Sequence, residues 1–448
     1  MASSKKTRIL ILGGGFAGLH AAIHLDDTLA RDPDIEITLV NRDNFFLFTP
    51  MLHEVAASDL DLTNIVNPIR KLLKRINFFA GEVESINLER KFVTVSHGFD
   101  HHHHDVPYDH VVIGLGSITN FFNLPGLEKR ALTMKSLGDA IHLRNRLIAH
   151  LEEADTECCA DVRRPLLTFV VAGGGFAGVE TIAGINDFVR EAARFYSNLH
   201  EGMLRVVLVH PGNVILPELG EELGRYTEKK LAERGVEVQL NTRVTGVTEN
   251  GVQLSTGEEI ESKALIWTAG TSPNPVLDSV PCAKQRGRLK VDEMLRVPGH
   301  EGVWALGDCA VVPDRKTGQY HPPTAQHALR EGKTLAKNLI ATARGGTLKA
   351  FSFSTIGQLA AIGRRTGVAN ILGINFSGFV AWWMWRTIYL SKLPRFEKKL
   401  RVALDWTLDL LFTKDLVQFQ TFRAPTISHT YTTDEMPRIR VASMESAS

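Results

Sequence analysis

The stretch ILGGGFAGLH at residues 11–20 is followed 160 positions later by VVAGGGFAGVE at residues 170–180. Both copies contain the letters GGGFAG, with a short apolar run before them and a helix-like run after them. A strand, a G-x-G-x-x-G turn and a helix open the βαβ unit that binds a dinucleotide. One copy alone would be weak evidence, but two copies predict two dinucleotide-binding units.

The glycines of each turn have separate physical roles. Gly13 permits the tight turn, Gly15 lets the backbone approach a pyrophosphate, and Gly18 lets the helix pack close to the strand. The positive end of the helix then faces the phosphate charge. The same reasoning predicts nucleotide contacts at the matching glycines of the second copy and at the residues between them, namely Phe16, Ala17, Gly173, Gly175, Phe176, Ala177 and Gly178.

The second strand of each unit ends without the acidic residue that usually holds the ribose hydroxyls. The first unit ends in Asn41, and the strand 205–210 of the second unit ends in His210. Asn41 can still hydrogen-bond a ribose. A neutral His210 would bond a hydroxyl, whereas a protonated one would tolerate a 2′-phosphate. No arginine follows at once, so the pattern favours NADH over NADPH.

Composition limits the other functions available to the chain. It has 448 residues, of which 44% are hydrophobic and 23% charged, as expected for a folded protein of about three domains. A net charge of +1 argues against a nucleic-acid partner. Four cysteines form no disulfide framework and indicate a reducing compartment. The apolar run near the N-terminus is too short for a signal peptide and predicts a first strand.

Three later apolar strands end in small residues, at 108–117, 264–274 and 302–310. The first two are placed where a chain would pass a bound nucleotide and cross between domains. The third ends in Gly307-Asp308, and an aspartate at the carboxyl end of a parallel strand lies where open α/β sheets bind ligands. The alternative is that Asp308 is a helix N-cap.

This series resembles the flavoproteins of glutathione-reductase type, an α/β fold with two Rossmann-like dinucleotide-binding domains. Specific stretches resemble the type II, single-subunit NADH:quinone oxidoreductases within that class. These are FLFTPMLHEVAA (46–57), GGGFAGVE (173–180), ALGDCA (305–310), PPTAQHALREGKTLAKNL (322–339) and the segment 377–406. The resemblance implies FAD at the first turn and NADH at the second.

The resemblance also implies a domain order. It predicts FAD-binding residues 1–125, an inserted NADH-binding domain 126–294, a return segment 295–345 of the FAD domain, a membrane-association region 346–423 and a mobile tail 424–448. The predicted FAD contacts beyond the first turn and Asn41 are Thr49, Val83, Gly116, Asp308, Ala325 and Gln326, and Gly270 joins His210 and Glu180 at the NADH site.

Two residues are implied to be catalytic by the same resemblance. Glu180 is expected near the flavin and nicotinamide, and Gln326 in the "AQ" motif of the quinone site. The amide of Gln326 is a suitable donor to a quinone carbonyl. Pro322-Pro323 suit a helix start whose positive end could face the flavin. The alternatives are that Glu180 only complements a helix N-terminus and that Gln326 is a solvated first-turn residue. The family often has a second Gln where this chain has Arg330.

Cysteine usage separates the rival reductases of this class. A disulfide reductase needs a C-x-x-C or C-x4-C pair, and the chain has none. Sulfide:quinone reductases use a cysteine well into the C-terminal part, and no cysteine follows Cys309. An NADPH- or ferredoxin-type reductase would not need an amphipathic tail. A non-catalytic NADH-sensing flavoprotein of the apoptosis-inducing-factor kind also remains as an alternative. Adjacent Cys158-Cys159 are expected in a surface connector.

Four consecutive histidines, His101 to His104, lie between strand-like segments. A zinc site is the alternative, but a consecutive run does not place two ligands on one face, so we expect a solvated hairpin loop with only weak adventitious metal affinity. The preceding residues 82–95 alternate as ordinary strands.

The C-terminal quarter indicates a membrane surface. Residues 366–385 carry no charge, which approaches the length of a spanning helix, and end in Trp382, Trp383 and Trp385. In the following stretch Leu400, Leu404, Leu408 and Leu411 share a helical face. Five basic residues against Glu397 give 391–401 a charge of +4, namely Lys392, Arg395, Lys398, Lys399 and Arg401. Residues 366–412 are therefore expected on an anionic leaflet, and the alternative is a helix that docks in a dimer interface or on the protein's own core.

Together these patterns predict a peripheral flavoenzyme at the cytoplasmic face of the cell membrane. It would pass a hydride from NADH to FAD and two electrons from FAD to a membrane quinone, without pumping protons. We expect a homodimer, with no metal and no nucleic acid bound.

Overall fold

The computed structural model describes residues 6–419, and the mobile tail predicted for 424–448 lies outside them. The N-terminal sheet is parallel and has five strands, in the order Val303–Ala305, His110–Ile113, Thr7–Leu12, Ile35–Asn41, Asn77–Ala80. Residues at its centre are fully buried, which explains their near-continuous apolar sequence. The last strand of the chain to join this sheet, Val303–Ala305, pairs with His110–Ile113.

A second parallel sheet has the order Leu132–Thr133, Ala264–Trp267, Thr168–Ala172, Arg205–Val209, Val236–Gln239. Its strand Thr168–Ala172 leads into the second glycine turn, as Thr7–Leu12 leads into the first. Both sheets therefore present a glycine turn at the carboxyl end of a central strand, where α/β sheets bind ligands.

Two extended segments join the two sheets. Ser117–Thr119 follows the N-terminal sheet, Thr271–Pro273 follows the second sheet, and the two pair antiparallel. The segments that we expected to cross between domains are thus hydrogen-bonded to one another, directly beside the glycine turns.

Eleven α-helices occur in the described residues. They are α1 (Phe16–Asp26), α2 (Leu52–Ala56), α3 (Ile69–Leu72), α4 (Leu127–Arg130), α5 (Leu137–Thr156), α6 (Ala160–Leu166), α7 (Phe176–Ala193), α8 (Glu221–Glu233), α9 (Ala325–Arg344), α10 (Gly378–Lys392) and α11 (Phe396–Asp409). Helices α1 and α7 follow the two glycine turns, and α9 packs along α1. Gly332 makes that close approach possible, because a Cβ there would lie 2.3 Å from the carbonyl oxygen of Ala17.

Small antiparallel sheets and paired segments complete the fold. They are Glu82–Asn87 with Phe92–His97 and His102–Pro107; Val244–Val247 with Gly251–Leu254 and Glu259–Glu261; Phe45–Leu47 with Val66–Pro68; Pro313–Asp314 with Gln319–Tyr320; Gly357–Ala361 with Gly367–Ile371 and Ile374–Ser377; and Lys284–Gln285 with Arg288–Lys290, the last of which pairs parallel with Ala310–Val311. The strands expected within 82–95 are present.

Three of the four histidines, His102 to His104, belong to the strand His102–Pro107, and His101 lies in the turn before it. The loop that we expected is thus confined to that turn, although all four residues are exposed as predicted. His102–Pro107 pairs antiparallel with Phe92–His97, so that His97 lies opposite His102. Alternate residues of a strand share a face, and His97 Nε2 lies 2.7 Å from His104 Nε2. Within the run itself, the ring centres of His102 and His104 are 4.6 Å apart, so the expectation that a consecutive run places no two histidines on one face is wrong. Even so, no group of three His, Cys, Asp or Glu in residues 6–419 is arranged to hold a metal ion.

The uncharged run 366–385 is divided among two strands and the first half of α10. Leu372 and Gly373 turn the chain between those strands, both with positive φ. Within residues 6–419, no helix has the length and apolar character needed to cross a bilayer. Trp382 and Trp385 are buried, so of the three tryptophans expected at an interface only Trp383 is exposed.

Candidate functional site

The two glycine turns have the same geometry. Gly13 and Gly173 have φ values of +97° and +116°, which side chains rarely adopt. A Cβ at Gly18 would lie 2.0 Å from the carbonyl oxygen of Gly13, and one at Gly178 would lie 1.7 Å from that of Gly173. These four glycines are therefore required by the turn itself, as the motif predicts.

The glycine directly before each helix, Gly15 or Gly175, is different. A Cβ at Gly15 or Gly175 would meet no protein atom within 4 Å. Each of these residues precedes a helix, α1 or α7, that has no side-chain cap and no acidic residue in its first turn. The first backbone N–H groups of both helices thus face open space, which suits a pyrophosphate. This arrangement fits a dinucleotide at each turn.

Asn41 and His210 occupy equivalent positions and hold the middle glycine of each turn. Gly14 N donates to Asn41 Oδ1 at 2.7 Å, and Gly174 N donates to His210 Nδ1 at 3.0 Å. Burial lowers the pKa of His210, whose ring also bonds the backbone of Val214. The imidazole is therefore neutral and engaged on both sides, which leaves no positive charge for a 2′-phosphate.

A polar network lies where the N-terminal sheet meets the crossing strands. Ser117 Oγ donates to Asp308 Oδ2 at 2.6 Å, and Lys135 Nζ lies 3.2 Å from Ser117 Oγ. Asp308 belongs to a single 3₁₀ turn, Gly307–Cys309, whereas α9 begins at Ala325 with Thr324 as its N-cap. The alternative reading of Asp308 as the helix N-cap was wrong.

Two large cavities open between the glycine turns. The apolar cavity, of about 460 Å³, is lined by Phe16, Phe48, Thr324 to Gln326, Arg330, Ile356 to Leu359 and residues of α10. The reaction pocket, of about 340 Å³, is lined by Thr49, His53, Lys135, Ala177, Glu180 and Gly270, among others. The two cavities share Pro50, Phe176, Leu359 and Tyr389. The two cavities are therefore adjacent and share part of their lining.

Gln326 lies at the edge of the apolar cavity, in the first turn of α9. Its Nε2 donates to Gly357 O at 3.2 Å, so it is held in place and is not simply solvated. Arg330 donates to the carbonyl oxygen of Gln326 at 2.8 Å, and its guanidinium lies 3.9 Å from the centre of the Phe353 ring. A positive charge thus lies beside the amide of Gln326.

Glu180 is buried in α7 and faces the reaction pocket. Trp385 Nε1 donates to its Oε1 at 2.9 Å, and Ala361 N donates to the same oxygen at 3.2 Å. Burial raises the pKa of Glu180 to about 8 and lowers the pKa of neighbouring His53 to about 3. The 3.8 Å contact between His53 Nδ1 and Glu180 is therefore one between neutral groups at pH 7. A protonated carboxyl at a reaction pocket can give up a proton.

Other residues proposed from the sequence are spread more widely. Ala17 packs against Gly307, and Gly116 has φ +71° with its carbonyl oxygen 3.4 Å from Cys309 Sγ. Val83 is buried in its strand and lines neither cavity. All four cysteines are free, with Cys158 and Cys159 exposed as expected for a connector.

Sequence reasoning missed several residues of the site. His53, Lys135, Trp385 and Tyr389 line the reaction pocket or bond its carboxyl. His53 lies within the quoted stretch 46–57, so the resemblance contained a signal for it. The pairing of Trp385 with Glu180 spans 205 positions and leaves no local pattern.

Two nucleotide turns on two parallel sheets, with a reaction pocket between them, define the class of flavin- and pyridine-nucleotide-dependent oxidoreductases. The profile described as pyridine nucleotide-disulphide oxidoreductase matches residues 7–332, and that of the NDH2 C-terminal domain matches residues 356–415. The chain belongs to the type II NADH:quinone oxidoreductase family within this class.

Individual relatives agree with this placement. The type II NADH:quinone oxidoreductase Ndh of Mycobacterium tuberculosis is 31% identical, over 92% of this chain and 89% of that protein. A probable NADH dehydrogenase of Dictyostelium discoideum is 30% identical, over 92% and 91%. The structure of NDH2 from Plasmodium falciparum in complex with NADH has a TM-score of 0.86 at 21% identity, over 92% of this chain and all of that one, and shows the shared fold.

Proposed function

We propose that the protein is an FAD-dependent enzyme that oxidises NADH and reduces a lipophilic quinone. The observation that carries this proposal is the pair of cavities that share Pro50, Phe176, Leu359 and Tyr389. One cavity lies against the second glycine turn and contains a protonatable carboxyl, and the other is apolar with an amide and a guanidinium at its edge.

The first glycine turn and Asp308 are the groups that would hold FAD. The free N–H groups before α1 suit its pyrophosphate, and the Asp308 carboxylate suits its hydroxyls. The turn before α7, with Gly175 open at its end, would hold the pyrophosphate of NADH. Bound FAD supplies the chemistry of accepting a hydride and passing on two electrons.

The side chains position the substrates and hold protons. Gln326 has a second amide hydrogen available for a quinone carbonyl, and Arg330 adds positive charge where the oxygen gains electron density. Phe16, Phe48 and Phe176 line the pockets and exclude water from the apolar cavity. Glu180 holds a proton at the wall of the reaction pocket.

The rival activities have weaker support. Sulfide oxidation would need a pair of cysteines at the flavin. Among the described residues, the buried Cys309 contacts the carbonyl oxygen of Gly116 and has no second thiol beside it. Burial raises the pKa of Cys309 to about 12, so it is not a reactive thiolate. A neutral His210 supports a preference for NADH over NADPH, and the large apolar cavity supports a quinone over a protein electron acceptor.

Membrane attachment is proposed through an apolar surface that we call the tail face. It consists of the exposed side chains Phe379, Val380, Trp383, Phe396, Leu400, Leu404, Leu408 and Leu411. A patch of this kind marks a membrane or protein contact. The charge contribution is smaller than the sequence suggested, because Lys398 is buried and donates to Thr63 O at 2.6 Å. Arg395 is paired with Glu397 at 2.9 Å.

We further propose that the enzyme sits at the cytoplasmic face, forms a homodimer through the same region and moves no protons across the membrane. The four free cysteines suit a reducing compartment. Each turnover consumes one proton from the medium, but sealed vesicles that carry the protein on their outer face should move no protons into their lumen. Lumen acidification that an uncoupler abolishes would contradict this. Sedimentation in detergent-free buffer tests the dimer.

The experiment that tests the function is anaerobic. NADH is added to the purified yellow protein, the flavin absorbance is followed, and a short-chain quinone is then added. Rapid bleaching followed by rapid recovery is the expected result. Bleaching without recovery would retain the NADH site but refute quinone reduction.

A further inference from the structure

Three histidine side chains lie together on the hairpin formed by the strands Phe92–His97 and His102–Pro107. We call them the histidine cluster: His97, His102 and His104. His97 lies directly opposite His102, and His104 follows two positions later on the second strand. Because alternate residues of a strand share a face, all three side chains project from the same face of the hairpin. None of them lines either large cavity, so the proposed function does not account for the cluster.

The three imidazole rings contact one another. The ring centres are 4.6 Å apart for His102 and His104, 4.7 Å for His97 and His104, and 5.7 Å for His97 and His102. His97 Nε2 lies 2.7 Å from His104 Nε2, so that one of these nitrogens donates a hydrogen bond to the other. The accepting ring is neutral, because both nitrogens of a charged imidazole are donors. The neutral imidazole is also the form of histidine that binds a metal ion.

The register of the hairpin is set by the protein core. Val93 and Val95 belong to the same face of their strand as His97, and both are fully buried. A slip of one residue would turn these valines outwards, which makes such a slip costly. The pairing that places His97 opposite His102 is therefore a fixed property of the fold.

An aromatic side chain of the N-terminal sheet supports the cluster. Phe79 belongs to the edge strand Asn77–Ala80, and its ring meets those of His97 and His104 edge to face, with ring centres 5.6 and 5.8 Å apart. Side chains on strands that pack against a sheet are positioned more precisely than those on a loop. The cluster thus differs from a flexible run of histidines, in which no one residue matters more than its neighbours.

Three imidazoles form the protein ligand set of one class of zinc site, in which water takes the fourth position. Imidazole also suits Cu²⁺ and Ni²⁺. Zn–N bonds of about 2.0–2.1 Å at tetrahedral angles place two ligand nitrogens about 3.3 Å apart. The Nε2 atoms of His97 and His104 are 2.7 Å apart, so they need to separate by only about 0.6 Å.

The structure shows the cluster in a closed form. The hydrogen bond between His97 and His104 points their ring nitrogens at each other, and the three rings do not converge on one point. His102 and His104 are exposed and His97 is half-buried, so the rings have room to turn. Metal binding would exchange the N–H···N bond for bonds from all three rings to the ion.

We propose that the histidine cluster binds a divalent transition-metal ion, Zn²⁺, Ni²⁺ or Cu²⁺, through His97, His102 and His104. The bound ion joins the two strands of the hairpin across the turn 98–101. His103 takes no part, because it pairs with Ser96 and projects from the opposite face. The site is separate from the two large cavities and does not depend on the flavin reaction.

The test is a calorimetric titration of the FAD-loaded full chain, without any added histidine tag, with Zn²⁺. The variant Cys158→Ser/Cys159→Ser is the background, because these exposed thiols also bind zinc. His97→Gln and His104→Gln should each weaken binding about tenfold or more, since loss of even a supporting partner of a metal ligand costs about that much. Electron paramagnetic resonance with Cu²⁺ should show three nitrogen ligands.

The matched control is His103→Gln, which makes the same chemical change within the same run but on the other face. It should leave the Zn²⁺ affinity unchanged. Equal weakening by His103→Gln and His104→Gln would overturn the site, because it indicates adventitious binding by the consecutive run. Absence of saturable Zn²⁺ binding would overturn it as well. The comparison of these two exposed neighbours decides the question even where His97→Gln disturbs the packing on Phe79, which equal flavin content and circular dichroism in all variants would exclude.

Discussion

The tail face makes a quantitative prediction about membrane binding. Leu400 and Leu404 are 63% and 55% exposed on successive turns of α11. The exposed parts of the two side chains add up to about one whole leucine. Transfer of that surface from water into the bilayer contributes about 2–3 kcal/mol to the free energy of membrane binding. The double variant Leu400→Ser/Leu404→Ser should therefore lower the partition coefficient about 30- to 150-fold. Folding should be unaffected, since both positions are on the surface.

Cosedimentation with phospholipid vesicles measures this change directly. Arg401→Gln, which removes an exposed charge of the same helix, should cost about 1 kcal/mol and only with anionic vesicles. Phe99→Ser is the control, because Phe99 is a fully exposed aromatic residue in the turn before His102–Pro107. It should leave partitioning unchanged. Binding of the double leucine variant equal to that of the unmodified protein would refute the proposal that α11 enters the interface.

Three further outcomes follow from the site. Gly15→Ala should fold normally, because the added Cβ meets no protein atom, but it should lose FAD, because the Cβ occupies the space left for the pyrophosphate. Gly175→Ala should likewise fold and should raise the KM for NADH. An unchanged FAD content in the first variant and an unchanged KM in the second would contradict the assignment of the turns. His210→Glu should sharpen the preference for NADH over NADPH in steady-state kinetics, since a carboxylate repels the 2′-phosphate; an unchanged ratio places this residue away from the ribose. The free energy of unfolding should fall between pH 6.5 and 8 by about 2 kcal/mol for Glu54 alone, because its folded pKa of about 8 lies above the unfolded value and the native state binds the extra proton. Denaturation of Glu54→Gln should show a correspondingly smaller fall, and an equal fall would contradict the protonated state of that carboxyl.

The glycine turns show how much a spacing pattern can predict. Gly13, Gly15 and Gly18 could be assigned roles from the motif because each role depends on backbone geometry alone. The middle glycine of each turn could not, since its N–H binds a side chain from the next strand. The pattern predicts that Asn41 and His210 lie near the nucleotide, but it does not show that they hold the turn itself.

The predictions that were wrong concern segments whose local structure is decided by pairing with distant segments. His102 to His104 lack the apolar alternation of a strand, yet they extend the sheet because Phe92–His97 offers an open edge. The uncharged run 366–385 resembles a single apolar segment. Its strands are defined by a turn at Leu372-Gly373, which a charge count does not detect.

The neighbours Trp383 and Trp385 lie on opposite sides of α10. Residues two apart on a helix are about 200° apart, and here one is 58% exposed on the tail face while the other bonds Glu180. On the proposed orientation, a single helix about 10 Å across separates lipid from the carboxyl at the reaction pocket. A quinone therefore needs to move only its ring out of the bilayer, and its hydrocarbon chain stays behind. Each methylene of the quinone's hydrocarbon chain that stays in lipid avoids a transfer cost of about 0.8 kcal/mol. The length of that chain should therefore determine how long the quinone stays in the membrane and should not change the rate of the chemical step.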